Sequence, residues 1–177
     1  GAGVPTFALA AVAGGTGYWH ARRSGEDAGT MVTAEFLPLL SRLPGDVDGV
    51  AVPALATAAR DRIAFYGWSM GGYGALLLAE QLGAARVSAV AVSGPALWRR
   101  PAQAAPGAFD DATDFARHDV FAGRSRLRGV PIRIDCGDGD PFVDAARDFA
   151  AGLSPSPTGS FGIGGHDGRY WRRVAPA

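Results

Sequence analysis

The stretch from residue 61 to residue 83 constrains the chain more than any other, because its pattern changes twice within a few residues. Asp61–Tyr66 (DRIAFY) reads as a short buried strand ending at a glycine. Tyr73–Leu82 (YGALLLAEQL) is built of strong helix formers and is closed by Gly83. Between them lies Gly67-Trp68-Ser69-Met70-Gly71-Gly72. A strand that gives way to a helix within so few residues must turn sharply at Ser69. The G-x-S-x-G spacing predicts a strained serine whose hydroxyl stands clear of the sheet. Gly67 and Gly71 are expected because a side chain at either position would crowd the turn. The serine also precedes a helix N-terminus, whose free N–H groups favour developing negative charge. The plainer reading, a serine that merely caps its helix, stays open at this point.

Strand and helix patterns alternate along the rest of the chain. Thr6–Val12, Arg86–Ser93, Pro131–Cys136 and Ser160–Ile163 read as strands. Helices are expected over Met31–Leu43, Asp110–Val120, Val143–Leu153 and Tyr170–Val174. Thr30 is the expected cap of the first of these, Val32, Phe36, Leu39, Leu40 and Leu43 its apolar face, and Pro38 a weak point in its middle. Pro44–Thr57 reads as a loop ending in an alanine-rich segment, and Gly94–Phe109, with three prolines, as an irregular excursion. This alternation predicts an α/β domain with a mainly parallel sheet flanked by helices, one domain over residues 1–177.

Composition narrows the function classes. Formal net charge is zero, and the arginines pair (Arg22-Arg23, Arg99-Arg100, Arg172-Arg173) without clustering, so no nucleic-acid partner is expected. All 17 basic residues are arginine, which rules out a lysine Schiff base and a Walker phosphate loop. Cys136, the only cysteine, admits no internal disulfide and is expected as a buried small residue of a strand. No run reaches membrane-spanning length, and no charged-then-apolar leader opens the chain, so a cytoplasmic and a secreted location both remain open. No cofactor is expected, and no metal, because nothing has metal-ligand spacing; chelators should leave activity unchanged.

A serine hydroxyl needs a base, and the base an orienting acid. Of the three histidines, His166 lies in the glycine-rich loop after the last strand, at the edge where such loops gather. His118 reads as an exposed or capping residue, and His20 sits just ahead of the first helix. Asp138 and Asp140 both follow a strand end, whereas Asp135 and Asp144 lie inside elements. The order Ser69, Asp140, His166 is that of an α/β-hydrolase. Trp68 is expected near an acyl pocket, with Trp19, Trp98 and Trp171 either lining it or serving as core.

GWSMGGYGALLLAE, AFDDATDFARHDVF, CGDGDPF and GGHDGRYW together resemble the esterase D-type branch of the α/β-hydrolases, which includes S-formylglutathione hydrolases, feruloyl esterases and mycolyltransferases. The resemblance runs from about Phe7 to Trp171. It implies Ser69 as nucleophile, His166 as base and Asp140 as the acid, the last because the family places its acid three residues after the glycine, here Gly137. It also implies the backbone N–H of Met70 as one oxyanion donor. The strand and loop that carry the family's second donor have no counterpart here, since Thr6–Val12 matches the strand after them. The chain is therefore expected to lack N-terminal strands and to leave a slot beside the elbow strand. The implied function is a serine carboxylic-ester hydrolase that forms an acyl-enzyme from a small neutral or hydrophobic ester. The alternatives are an acyltransferase to a sugar or lipid hydroxyl, and a non-catalytic hydrolase-like binding domain.

Overall fold

A computed structural model describes residues 9–42, 46–47, 50–51 and 62–175. Its centre is a parallel sheet of β3 (Ile63–Trp68), β4 (Val87–Ser93), β5 (Ile132–Gly137) and β6 (Phe161–Gly162), side by side in that order. Two short strands ahead of it, β1 (Asp46–Val47) and β2 (Val50–Ala51), pair antiparallel in what the sequence marks as loop. The helices are α1 (the continuous turns Ala28–Thr30, Met31–Phe36 and Leu37–Leu40), α2 (Met70–Leu82), α3 (Ala112–Arg117), α4 (Val120–Gly123), α5 (Val143–Ala151) and α6 (Gly168–Val174).

β4 and β5 form the middle of the sheet and are its most buried strands, as expected where both faces are covered. Val87, Val90, Val92, Ile134 and Cys136 pack there with Tyr73, Leu76 and Leu77 of α2 and Phe149 of α5. Helix α2 is buried without interruption from Gly72 to Glu80, because the sheet and the 107–127 segment enclose it. Its glycines make the close approaches possible. A Cβ at Gly72 would stand 3.0 Å from Pro95, and one at Gly74 would stand 2.3 Å from the Trp19 ring.

Several expectations need correction. Leu9–Val12 form no strand and Leu9 is exposed, while residues 6–8 of the expected strand lie outside the described residues. Among the described residues nothing pairs with the outer edge of β3, so they have no neighbour there to order a strand. The first helix is capped by Asp27, whose carboxylate accepts from the Thr30 N–H at 2.9 Å, and not by Thr30. Its middle, Met31–Phe36, is π-helical, directly ahead of Pro38, which cannot donate to the turn before it. The wider turn rotates the expected face: Val32 is buried but Leu39 is exposed, and Leu43 lies outside the described residues with the alanine-rich 52–60 segment. The helix expected over Asp110–Val120 is two, because Asp111 caps α3 and Asp119 then caps a new turn through the Phe121 N–H at 2.9 Å.

Glu80 is a penalty built into this core. It is buried, and among the described residues Oε1 has no hydrogen-bond partner. Burial, with a smaller push from Asp119 and against the pull of Arg126, raises its pKa to about 8. The folded chain thus keeps a proton that the unfolded chain releases above about 4.5. Stability should fall as pH rises from the unfolded value through the folded one, and level off above it. Glu80→Gln should flatten that dependence and gain on the order of a few kcal/mol above pH 8, with little change at acid pH. Urea midpoints of both proteins at pH 5 and 9 check this.

Candidate active site

The turn after β3 carries the strain its sequence predicts. Ser69 has φ 51° and ψ −124°, outside the regions open to most residues. Its backbone is held at both ends: the N–H donates to the Ser93 carbonyl (3.1 Å), and the carbonyl accepts from Ala96 (2.9 Å) and Tyr73 (3.1 Å). A Cβ at Gly67 would lie 2.2 Å from the Gly71 carbonyl oxygen, so that glycine is obligatory. Gly71 differs from expectation, since a Cβ there meets no described atom within 4 Å; the second tight approach belongs to Gly72.

Ser69 occupies the N-cap position of α2, yet its side chain makes no capping hydrogen bond. Its Oγ lies 2.8 Å from His166 Nε2 instead, and His166 Nδ1 lies 2.7 Å from Asp140 Oδ2. The tautomer that fits both contacts has the proton on Nδ1, donated to the carboxylate, and accepts the serine hydroxyl at Nε2. Asp140 is buried, and its other oxygen accepts from the Phe142 N–H at 2.8 Å. Asp138 stays out of this line. It is half exposed and pairs with Arg147 at 2.7 Å. Asp135 is buried within the sheet, where it accepts from Ser160 and Arg133 and ties β5 to the start of β6.

Three elements deliver these groups to one edge. Ser69 follows β3, Asp140 follows β5 and His166 follows β6, all at the carboxyl end of parallel strands. Backbone bonds bring the last two loops together: Asp138 N–H donates to Gly162 and Gly139 N–H to Gly164, both at 2.8 Å. Met70 opens α2, so its N–H belongs to the first turn, which has no partner within the helix.

The rings around His166 form a clamp. Phe142 meets the imidazole edge-on with centroids 5.2 Å apart, and Trp171 does so at 5.1 Å. Trp68, half exposed, stacks on Trp171 at 5.9 Å and reaches the site through it. Trp98 packs on Phe142 at 5.7 Å and on Tyr18 at 5.3 Å, which extends the aromatic wall away from His166. Trp19 lies elsewhere. Its ring fills the notch between Gly14 and Gly74 and lines a cavity with His20 and His118.

Three contributors escape the sequence reading. Gly94 has φ +51°, and a Cβ there would stand 2.5 Å from Asp140 Oδ2 and 3.2 Å from His166 Nδ1. Ser93-Gly94-Pro95 just past a strand end is the available signal for it. Phe142 sits in the CGDGDPF motif without announcing a ring contact. Cys136, buried as expected, stands beneath Asp140; burial, and then the Asp140 carboxylate, push its pKa up to about 12, so it remains a thiol. His20 is almost wholly buried, and His118 is the half-buried C-cap residue of α3.

Comparison with known proteins gives the family. The family model described as "Putative esterase" matches residues 51–173. The chain belongs to the esterase family. Its α/β-hydrolase fold is shared with a solved ferulic acid esterase, at a TM-score of 0.63 and 20% identity over 88% of this chain and 59% of that one. The enterobactin esterase FES from Shigella flexneri aligns at a TM-score of 0.54 and 23% identity, over 80% of this chain and 34% of the other. The capsule O-acetyltransferase of Neisseria meningitidis serogroup A aligns at 0.54 and 15%, over 89% and 64%. This esterase-family chain therefore spans less than two thirds of the length of each of these structures. Among curated proteins, no sequence matches it.

Proposed function

We propose that this chain cleaves carboxylic esters through a covalent acyl-serine. The observation that carries the reading is the unbroken line from Ser69 Oγ through His166 to the buried Asp140 carboxylate. In this reaction His166 Nε2 takes the hydroxyl proton as Ser69 Oγ attacks the ester carbonyl carbon. The oxyanion that forms is met by the Met70 N–H at the positive end of α2. Asp140 holds the Nδ1 proton and stabilises the imidazolium. As the C–O bond to the leaving alkoxide breaks, the imidazolium gives it the proton. Water, deprotonated by the same Nε2, then attacks the acyl carbon, and as the bond to Ser69 Oγ breaks the imidazolium returns the proton to Oγ and the acid leaves. Hydrolysis and transfer to an alcohol share the first half of this sequence, and product analysis with added alcohols separates them.

The surroundings favour a neutral or hydrophobic acyl ester. The groups packed nearest His166 are the rings of Phe142 and Trp171, and the nearby Arg99 is engaged with Asp148 at 2.6 Å. A fluorophosphonate probe tests the reading directly, because it reacts only with a serine whose base is in place. Intact mass should show one adduct per chain. Folded protein that takes up no probe would overturn the proposal.

A further inference from the structure

His20, Asp114 and His118 are scattered through the sequence and come together behind the aromatic wall, their ligand-type atoms all within 4.8 Å of one another. His20 and Asp114 are buried and His118 is half-buried. Asp114 Oδ1 lies 3.0 Å from His118 Nδ1 and 3.6 Å from His20 Nδ1. Two donors on one tetrahedral zinc ion, each about 2.1 Å from it, stand roughly 3.4 Å apart. The two observed separations bracket that value.

A count of hydrogen bonds shows what the cluster lacks. Four acceptors face three ring nitrogens: the Ala21 carbonyl (3.1 Å) lies against His20 Nδ1, the Ala108 carbonyl (3.2 Å) against His20 Nε2, and the Asp114 carbonyl (2.9 Å) and Oδ1 both against His118 Nδ1. Two neutral imidazoles carry one N–H each. Donation from His20 Nε2 to Ala108 leaves the Nδ1 lone pair turned towards the carboxylate. Such a backbone contact is the usual way a metal-binding histidine is fixed in its tautomer.

We infer that His20, Asp114 and His118 form a binding site for a divalent transition metal of the zinc type. Two imidazole nitrogens and one carboxylate oxygen suit zinc. A cavity of about 150 Å³, lined by His20, His118, Trp19 and Thr30 among others, leaves a fourth position for water or a small ligand. Binding asks one adjustment: the His118 ring, the more exposed of the pair, tilts off its stack and its Nδ1 leaves the Asp114 carbonyl and gives up its proton, so that its lone pair converges with that of His20. Its backbone is anchored meanwhile by the Tyr73 hydroxyl, which donates to the His118 carbonyl at 2.8 Å.

The ion braces a strained loop. Tyr18 and Trp19, directly before His20, both have positive φ (54° and 63°), a conformation costly for residues with side chains. A bond from His20 to α3 and its C-cap residue His118 holds that loop, and with it the Tyr18 ring against Trp98. This role is structural, stands apart from the chemistry at Ser69, and leaves the reaction steps above free of metal.

The test uses the full chain without a histidine tag, stripped with EDTA and titrated with zinc chloride against a chromophoric chelator. One zinc per chain with a submicromolar Kd is expected, and Co²⁺ in its place should give the visible bands of a four-coordinate nitrogen–oxygen site. Zinc at a hundred times Kd should raise Tm by about 5–10 °C. His118→Gln, chosen because this side chain is the less buried histidine, should weaken binding more than about a hundredfold, since loss of a partner that merely orients a ligand costs up to that much. Failure of the wild type to bind zinc at micromolar free metal would overturn the inference. So would unchanged affinity in His118→Gln, or a cobalt spectrum of the hexa-aquo ion.

Discussion

Ser69→Ala should lower kcat for a neutral p-nitrophenyl ester by about 10⁵–10⁶-fold while leaving KM within a few-fold, because it removes the attacking atom and no part of the aromatic wall. The residual rate comes from what remains, the Met70 N–H and the binding surface. The same substitution should abolish the fluorophosphonate adduct. Folding is not at risk: the Ser69 side chain makes no capping bond, and its backbone contacts to Ser93, Ala96 and Tyr73 do not involve the hydroxyl. Alanine must still adopt φ 51°, but so does the wild-type serine. Turnover within tenfold of wild type in this variant would place the nucleophile elsewhere.

The second large effect separates two aspartates only two residues apart. Asp140→Asn should cost about 10⁴ in kcat, because the amide can still accept from Phe142 but presents its NH₂ to His166 Nδ1. That forces the imidazole proton onto Nε2, where it faces the Ser69 hydroxyl and cannot accept from it. Asp138→Asn should leave kcat within about twofold, since it loses only an exposed pair with Arg147, worth about 0–1 kcal/mol in stability. Steady-state kinetics of both variants decide the matter. Equal losses in the two would refute the assignment of Asp140.

How far the sequence could be read follows from how local each cause is. The strands beside the elbow are short runs rich in apolar and β-branched residues that end at or just before a glycine, so β3, β4 and β5 fall within two residues of their expected limits. The placement of Ser69, of an aspartate after β5 and of His166 is legible for the same reason, as each follows a strand end, but Asp140 is preferred to Asp138 only through the family resemblance. Where one side chain competes with a periodic pattern, the pattern misleads. Asp119 restarts a helix that periodicity runs together, and Pro38 lies behind the wide turns that move Leu39 to solvent. Gly71 looks as necessary as Gly67 in the pentapeptide, and only the path of the backbone separates them. His20 was beyond reach, because its partners Asp114 and His118 lie over ninety residues away and share no spacing with it.

The bond between Ser69 and His166 spans 97 residues of chain, and the one between His166 and Asp140 spans 26. On the proposed function, no short piece of this chain can hold a reactive serine; the line to its base exists only once β3 and β6 have taken places in one sheet. Contacts so distant in sequence form late and slowly. Covalent labelling of Ser69 therefore doubles as a clock for the last stage of folding. A refolding chain should recover its helical signal first and its reactivity afterwards.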